Sequence, residues 1–232
     1  MLSAIVLAAG AGRRLNASVP KPLVKIGTKQ VVIYSLESFN KHPDIDEIIV
    51  VASVQNKAAI IKAIKDYSFK KIKALCLGGK RRQDSVYKGI KAASPSSNWV
   101  LIHDCARPFI NSKLITKVIS TAKKSGGAIL GVPVKATIKS VKGDFLVDKT
   151  LDRANLWEIQ TPQVFKKELI LKAYNLYAKE NFTDDASLVE KLGGRVKIVQ
   201  GSYENIKITT RVDLLLAGLM VLKARACNIK LA

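Results

Sequence analysis

Leu2-Ser3-Ala4-Ile5-Val6-Leu7 runs into Ala8-Ala9-Gly10-Ala11-Gly12-Arg13-Arg14-Leu15, and Pro20-Lys21 follow. The first six residues are apolar without alternation, apart from Ser3, which predicts a strand buried on both faces. A buried strand that opens into a loop of glycines and cations suits an anion. Glycine lets backbone N–H groups approach closely, and Arg14 and Lys21 stand near to neutralise charge. The loop matches neither a dinucleotide fingerprint, which needs glycine where Leu15 stands, nor a P-loop, which needs Gly-Lys-Ser/Thr further on.

Working outward, the same unit recurs. Strands are expected at 45–52, 72–77, 99–102 and 128–134, with helices at 31–40, 57–67, 82–93 and 111–124 between them. Strand followed by helix, repeated four times, predicts a Rossmann-like α/β sandwich of three layers. Its mostly parallel sheet carries helices on both faces. Pro22–Gly27 reads as a short strand and turn. Each loop with chemical character follows a strand, so all should meet at the carboxyl ends of the sheet. The second such loop holds Gly78-Gly79 and Arg82-Gln83-Asp84-Ser85-Val86, and the third holds His103-Asp104-Cys105-Ala106-Arg107-Pro108. Asp104, at a strand end near a phosphate loop, can hold Mg²⁺ or a hydroxyl, or pair with Arg107. Cys105 has no neighbour suited to be its base and reads as a small buried residue.

The pattern breaks near Val134. Residues 135–161 are polar, and Lys142-Gly143-Asp144 between alternating segments predicts a β-hairpin. Such a hairpin has little core of its own and needs something to lie against, for which another subunit is the natural candidate. Further on, helices are expected at 166–179, from Thr183-Asp184-Asp185-Ala186 to Leu192, and from Thr210 to Ala226. Strands are expected at 195–199 and 205–208.

The chain has 232 residues, 48% of them apolar, enough for one α/β domain over 1–232. No apolar run reaches membrane-spanning length, and the first residues lack the features of a signal peptide. Cys76, Cys105 and Cys227 are scattered with no CxxC spacing, so neither a disulfide framework nor a zinc site is indicated, and a reducing cytoplasm is expected. The net charge is +21. Nucleic-acid binding would account for it, but there is no compact basic run and no aromatic platform among the lysines. Affinity for small anionic substrates, in a lysine-rich composition, fits better.

Taken together, these motifs resemble the 2-C-methyl-D-erythritol 4-phosphate cytidylyltransferases of the non-mevalonate isoprenoid pathway. The pieces stand in the family's order. After the first two loops and the His103–Pro108 turn come Pro133-Val134-Lys135-Ala136-Thr137-Ile138-Lys139, Arg153-Ala154-Asn155-Leu156-Trp157 and Gln160-Thr161-Pro162-Gln163-Val164-Phe165. Thr183-Asp184-Asp185-Ala186-Ser187 and Asn205-Ile206-Lys207-Ile208-Thr209 complete the set. The resemblance implies a GT-A-like nucleotidyltransferase fold and transfer of CMP from CTP, with a divalent cation such as Mg²⁺, to the sugar-alcohol phosphate. It implies CTP on Ala8, Ala9, Gly10, Ala11, Gly12, Arg14, Lys21, Gly79, Arg82, Ser85 and Asp104. It places the acceptor on Asp104, Arg107, Thr161 and Lys207, and on Thr137 and Arg153 from the arm of a partner subunit. Arg14, Lys21, Arg153 and Lys207 would act on the reacting phosphates. The arm, 135–161, would then be exchanged across a homodimer.

The chain departs from the family at four positions. Ala136 stands for a usual aspartate, Cys105 for alanine, Arg211 for proline and Leu15 for methionine. Only Ala136 lies beside an expected substrate contact. A cytidylyltransferase for another polyol phosphate, such as ribitol 5-phosphate, shares the first loop, the His-Asp-x-x-Arg-Pro turn and Gln160–Gln163. Leu151-Asp152-Arg153, Leu156-Trp157 and Asp184–Ser187 are closer to the methylerythritol enzymes.

Overall fold

The computed structural model describes residues 1–10, 12, 15 and 19–226. Its centre is a seven-stranded sheet with flanking helices. The first half of the chain lays down β1 (Leu2–Ala8), the short pair β2 (Lys25–Ile26) and β3 (Lys29–Gln30), and α1 (Val31–Lys41). β4 (Glu47–Ala52), α2 (Lys57–Lys65), β5 (Ile72–Leu77), α3 (Arg82–Ala92), β6 (Trp99–Asp104), α4 (Ser112–Ser125) and β7 (Gly127–Pro133) follow. The second half gives the hairpin β8 (Ile138–Val141) and β9 (Val147–Leu151), then β10 (Trp157–Lys166), α5 (Lys167–Tyr177), α6 (Asp185–Lys191), β11 (Lys197–Gln200) and α7 (Arg211–Ala226).

The strand order is β11-β7-β10-β6-β1-β4-β5. Every neighbouring pair is parallel except those of β10, which runs antiparallel to both β6 and β7. The mostly parallel Rossmann-like sheet is thus as expected, with one reversed strand in its middle. Period-two alternation sends β1 side chains to two cores. Ala4, Val6 and Ala8 pack with α1, α2 and α4, whereas Ile5 packs with α3, α5 and α6. A third cluster joins Leu15, Val24, Ile26, Val31, Phe109, Ile208, Ala217 and Val221, so Leu15 shares a core with α7.

Four expectations need correction. Residues 157–161, assigned to the arm, form the start of β10 inside the main sheet, because Trp157–Gln160 continue a ladder on Pro133–Leu130. The fourth parallel strand does not stop at Ile102. His103 and Asp104 extend it, opposite Val6 and Leu7 of β1. Residues 205–208 are irregular rather than a strand, since Ile208 N–H donates to the Ala106 carbonyl instead of to a sheet neighbour. Residues 22–27 give a 3-10 turn at Lys21–Leu23 before the two-residue strand β2. The hairpin at Lys142-Gly143-Asp144 is present. It carries Val141, Phe145, Leu146 and Val147 exposed, Phe145 at 88%. Among the described residues no helix is long and apolar enough to cross a membrane.

Candidate active site

The carboxyl ends of β1, β5 and β6 open onto a cleft of about 470 Å³. The end of β1 is fixed by Asn56, which is buried and whose Nδ2 donates to the Ala8 carbonyl at 2.8 Å. Gly12 then turns with φ +66°, and a Cβ there would meet Lys21 Cβ at 2.7 Å. The left-handed turn and the close passage of Lys21 both require glycine. On the opposite wall, a Cβ on Gly79 would meet Asp84 Cβ at 2.3 Å. That closeness lets the Asp84 carboxylate accept from Arg81 N–H at 3.0 Å and lets Gly79 N–H donate to Ser85 Oγ at 3.1 Å. The turn is therefore locked onto the first turn of α3, whose amino end faces the cleft, a position that favours anions.

Lys21, Lys80, Arg81, Arg82 and Lys207 line this cleft, and Asp104 is the one carboxylate among the described lining residues. The excess of cations suits a polyanion. A second cleft of about 520 Å³ adjoins it. Its charges are of both signs, Arg107 against Asp184 and Glu190, and Thr161, Thr183, Ser187, Gln160 and Gln163 add hydroxyls and amides. Arg82, Asp104 and Lys207 line both clefts and form the wall between them.

That wall is an ion-pair cluster. Arg82 Nε donates to Asp104 Oδ1 at 3.0 Å, and Lys207 Nζ to Asp104 Oδ2 at 2.5 Å. Arg82 Nη1 reaches on to Asp185 Oδ2 at 2.9 Å. Burial pushes the Asp104 carboxyl up, but Arg82 and Lys207 together pull it well below the usual carboxylate range. Asp185 goes the other way. Its burial is complete and raises it by more than Arg82 and the Tyr174 hydroxyl lower it. Burial disfavours the Arg82 cation, but Asp185 and Asp104 outweigh this and raise its pKa.

Beneath the wall, Thr161 Oγ1 accepts from Asp104 N–H at 3.1 Å and donates to His103 Nδ1 at 3.2 Å. His103 Nε2 lies 3.1 Å from the Arg107 carbonyl, which can only accept, so Nε2 carries the proton. Burial lowers His103 to about 4, and it is neutral. The Arg107 guanidinium donates to the Asn205 carbonyl at 2.7 Å and the Ile159 carbonyl at 3.3 Å. The alternative ion pair of Asp104 with Arg107 is not formed; Asp104 takes Arg82 and Lys207 instead. Burial pushes the Cys105 thiol up to about 12, which leaves it unreactive.

Of the residues assigned to nucleotide, Ala9, Gly10, Gly12, Lys21, Gly79, Arg82, Ser85 and Asp104 share the first cleft. Ala8 is buried in β1 behind it. Ala11 and Arg14 lie outside the described residues. Asp104, Arg107, Thr161 and Lys207 share the second cleft. Thr137 and Arg153 line neither cleft of their own chain; both are exposed on the arm side, where Arg153 donates to the Lys135 carbonyl. Sequence reasoning passed over Lys80, Arg81, Asn56 and Asp185. Asp185 reads as part of a helix start and of the Thr183–Ser187 motif, with no role of its own in the site. Its separate signal was a second acid directly after the capping Asp184, whose Oδ1 accepts from Ser187 N–H at 3.1 Å.

The chain is similar to known proteins. Residues 2–223 match the sequence profile of the 2-C-methyl-D-erythritol 4-phosphate cytidylyltransferase family. A protein of that name from Clostridioides difficile (strain 630) is 43% identical over 220 residues, spanning 94% of this chain and 92% of that protein. Another, from Syntrophotalea carbinolica, is 44% identical over 217 residues, with 92% and 93% covered. The crystal structure of a 4-diphosphocytidyl-2C-methyl-D-erythritol synthase from Anaerococcus prevotii superposes with a TM-score of 0.84 at 35% identity. It covers 95% of this chain and 96% of that one. Together with the cationic cleft at the strand ends, these matches place the chain in the 2-C-methyl-D-erythritol 4-phosphate cytidylyltransferase family.

Proposed function

We propose that the chain transfers the cytidylyl group of CTP to 2-C-methyl-D-erythritol 4-phosphate, with the first cleft holding CTP and the second the acceptor. The products are 4-diphosphocytidyl-2-C-methyl-D-erythritol and pyrophosphate. The observation that carries this division is the shared wall of Arg82, Asp104 and Lys207, which puts two cations where a donor phosphate and an acceptor phosphate would meet. An oxygen of the acceptor phosphate attacks the α-phosphorus, and the bond from that phosphorus to the bridging oxygen of the β-phosphate breaks. A phosphate monoester is largely dianionic at neutral pH, so no side chain has to remove its proton. Lys21, Arg82 and Lys207, with Arg14, align the groups and neutralise charge gathering on the phosphorus oxygens.

No group of three or more potential ligands for a metal occurs among the described residues, and Asp104 is the lone carboxylate described along the first cleft. That donor set fits a magnesium ion held chiefly by nucleotide phosphates, with Asp104 as its protein ligand. When bound, the ion would supply further charge neutralisation.

The exposed arm supports a homodimer in which Thr137 and Arg153 complete the partner's acceptor cleft. The apolar Phe145, Leu146 and Val147 at its tip favour burial against a neighbour. The reading places the enzyme in the cytoplasm and gives it no nucleic-acid partner. Purified protein with CTP and Mg²⁺ should release pyrophosphate with methylerythritol phosphate. Release with ribitol 5-phosphate alone would overturn the acceptor assignment. Heterodimers of inactive Arg153→Ala and Lys21→Ala subunits should regain one complete site, and verified heterodimers without activity would exclude arm exchange.

A further inference from the structure

We propose that Asp185 is a positioning residue for cytidylyl transfer, holding the Arg82 guanidinium in the face it presents to the nucleotide. This rests on the reading of Arg82 as a nucleotide contact. Asp185 lines neither cleft and is fully buried, so it cannot meet substrate. Its carboxylate is nonetheless tied on all sides. Oδ2 accepts from Arg82 Nη1 at 2.9 Å, Oδ1 accepts from Tyr174 Oη at 2.6 Å, and its backbone N–H donates to Gln163 Oε1 at 3.1 Å. Gln163 Nε2 in turn donates to Asp184 Oδ2 at 2.8 Å, which joins β10 to the start of α6.

Arg82 therefore has two anchors with different freedom. Asp104 sits on the wall between the clefts, where a nucleotide phosphate can compete with it for Arg82 and a metal can compete for its carboxylate. Asp185 is out of reach of either ligand. When phosphates take the place of Asp104 on Arg82, Asp185, itself held by Tyr174, still fixes one side of the guanidinium, and its remaining N–H groups stay on the cleft side. Orientation settled before binding lowers the cost of ordering a long side chain when the ligand arrives.

The test compares Asp185→Asn, Arg82→Ala and the double variant, with the KM for CTP, kcat and thermal midpoint measured for each. Asp185→Asn keeps the volume but can accept through one oxygen only. It should raise the KM for CTP about tenfold, or about 1.4 kcal/mol, with a folded protein. In the Arg82→Ala background the same change should leave the KM for CTP unmoved and raise the midpoint, because it removes a buried carboxylate that has lost its cation. A folded Asp185→Asn protein with the KM of the parent, beside an Arg82→Ala protein with a raised one, overturns the positioning role alone. So does a further rise in KM in the double variant. An unchanged KM in Arg82→Ala overturns the nucleotide contact and this inference with it. Should Asp185→Asn not fold, Tyr174→Phe decides. That variant keeps the ion pair but frees one side of the carboxylate, and should raise the KM for CTP two- to threefold. No change there also overturns the role.

Discussion

The two ends of the central sheet each bury a carboxylate and treat it differently. At the amino end, Glu47 of β4 accepts from the Ser3 hydroxyl at 2.5 Å and from Ser94 N–H at 2.7 Å, with Ser97 Oγ 2.6 Å from Ser3 Oγ. These donors are neutral: Ser3 lies in β1 beside Glu47, and Ser94 lies just after α3. At the carboxyl end, Asp104 is held by Arg82 and Lys207, both of which line open clefts. Neutral donors satisfy a carboxylate permanently and hold the strands in register. Cations around a carboxylate leave charge that an incoming phosphate can use. Burial alone does not separate the two cases; the kind of partner does.

Substitutions at the two ends should therefore fail in different measurements. Lys21→Ala, at the carboxyl end, should cost at least about a hundredfold in kcat. Its thermal midpoint should stay within about 2 °C, and near-normal turnover would remove Lys21 from the reacting phosphates. Glu47→Ala, at the amino end, should lower stability in urea by about 2 kcal/mol, because the Ser3 hydroxyl and Ser94 N–H lose their acceptor. Turnover per folded molecule should change less than twofold, and a large loss there would erase the contrast.

Acid sharpens the comparison further. His103, beneath the wall, has its pKa lowered from 6.5 to about 4, so the unfolded chain takes up a proton that the folded one refuses. Stability is present above pH 6.5 and is lost as pH falls from about 6.5 toward 4. His42, the other histidine of the chain, is also lowered by burial and adds in the same direction. Asp104 has a depressed carboxyl, and its contribution is lost only at still lower pH. Urea melts at pH 7 and pH 5 should differ more for the parent than for His103→Gln. The smallest effect is expected from Cys105→Ala, which removes one buried sulfur. Turnover within about twofold and a stability loss near 1 kcal/mol should result.

Much of this was legible in the residues. β1 and β4 are apolar on both faces, which is how a strand covered by helices on two sides reads. The glycine and cation loops after β1, β5 and β6 could be placed because parallel strands deliver their ends to one side. β10 could not be placed. Gln160, Thr161 and Gln163 are buried there, and Pro162 interrupts the pattern, so the stretch looks like a surface arm. Its polar groups are satisfied only by distant partners. Gln160 meets Ser202 and Asn205, Thr161 meets His103, and Gln163 meets Asp184 and Asp185. Asp185 was hidden for the same reason, since Arg82 is 103 positions away.

The reversed strand also bears on how the protein is made. β6 pairs with β1 on one edge and β10 on the other, and β7 lies between β10 and β11. While the chain is emerging from the ribosome, residues 1–104 can assemble β5-β4-β1-β6, but the outer edge of β6 stays open until residues 157–166 have been synthesised. An open edge flanked by apolar side chains is a template for other nascent chains. β10 is thus the strand that ends the period of exposure. Folding yield during synthesis should depend on how soon the arm and β10 follow β7, and so on the translation of the 62 codons from the end of β6 at Asp104 to the end of β10 at Lys166.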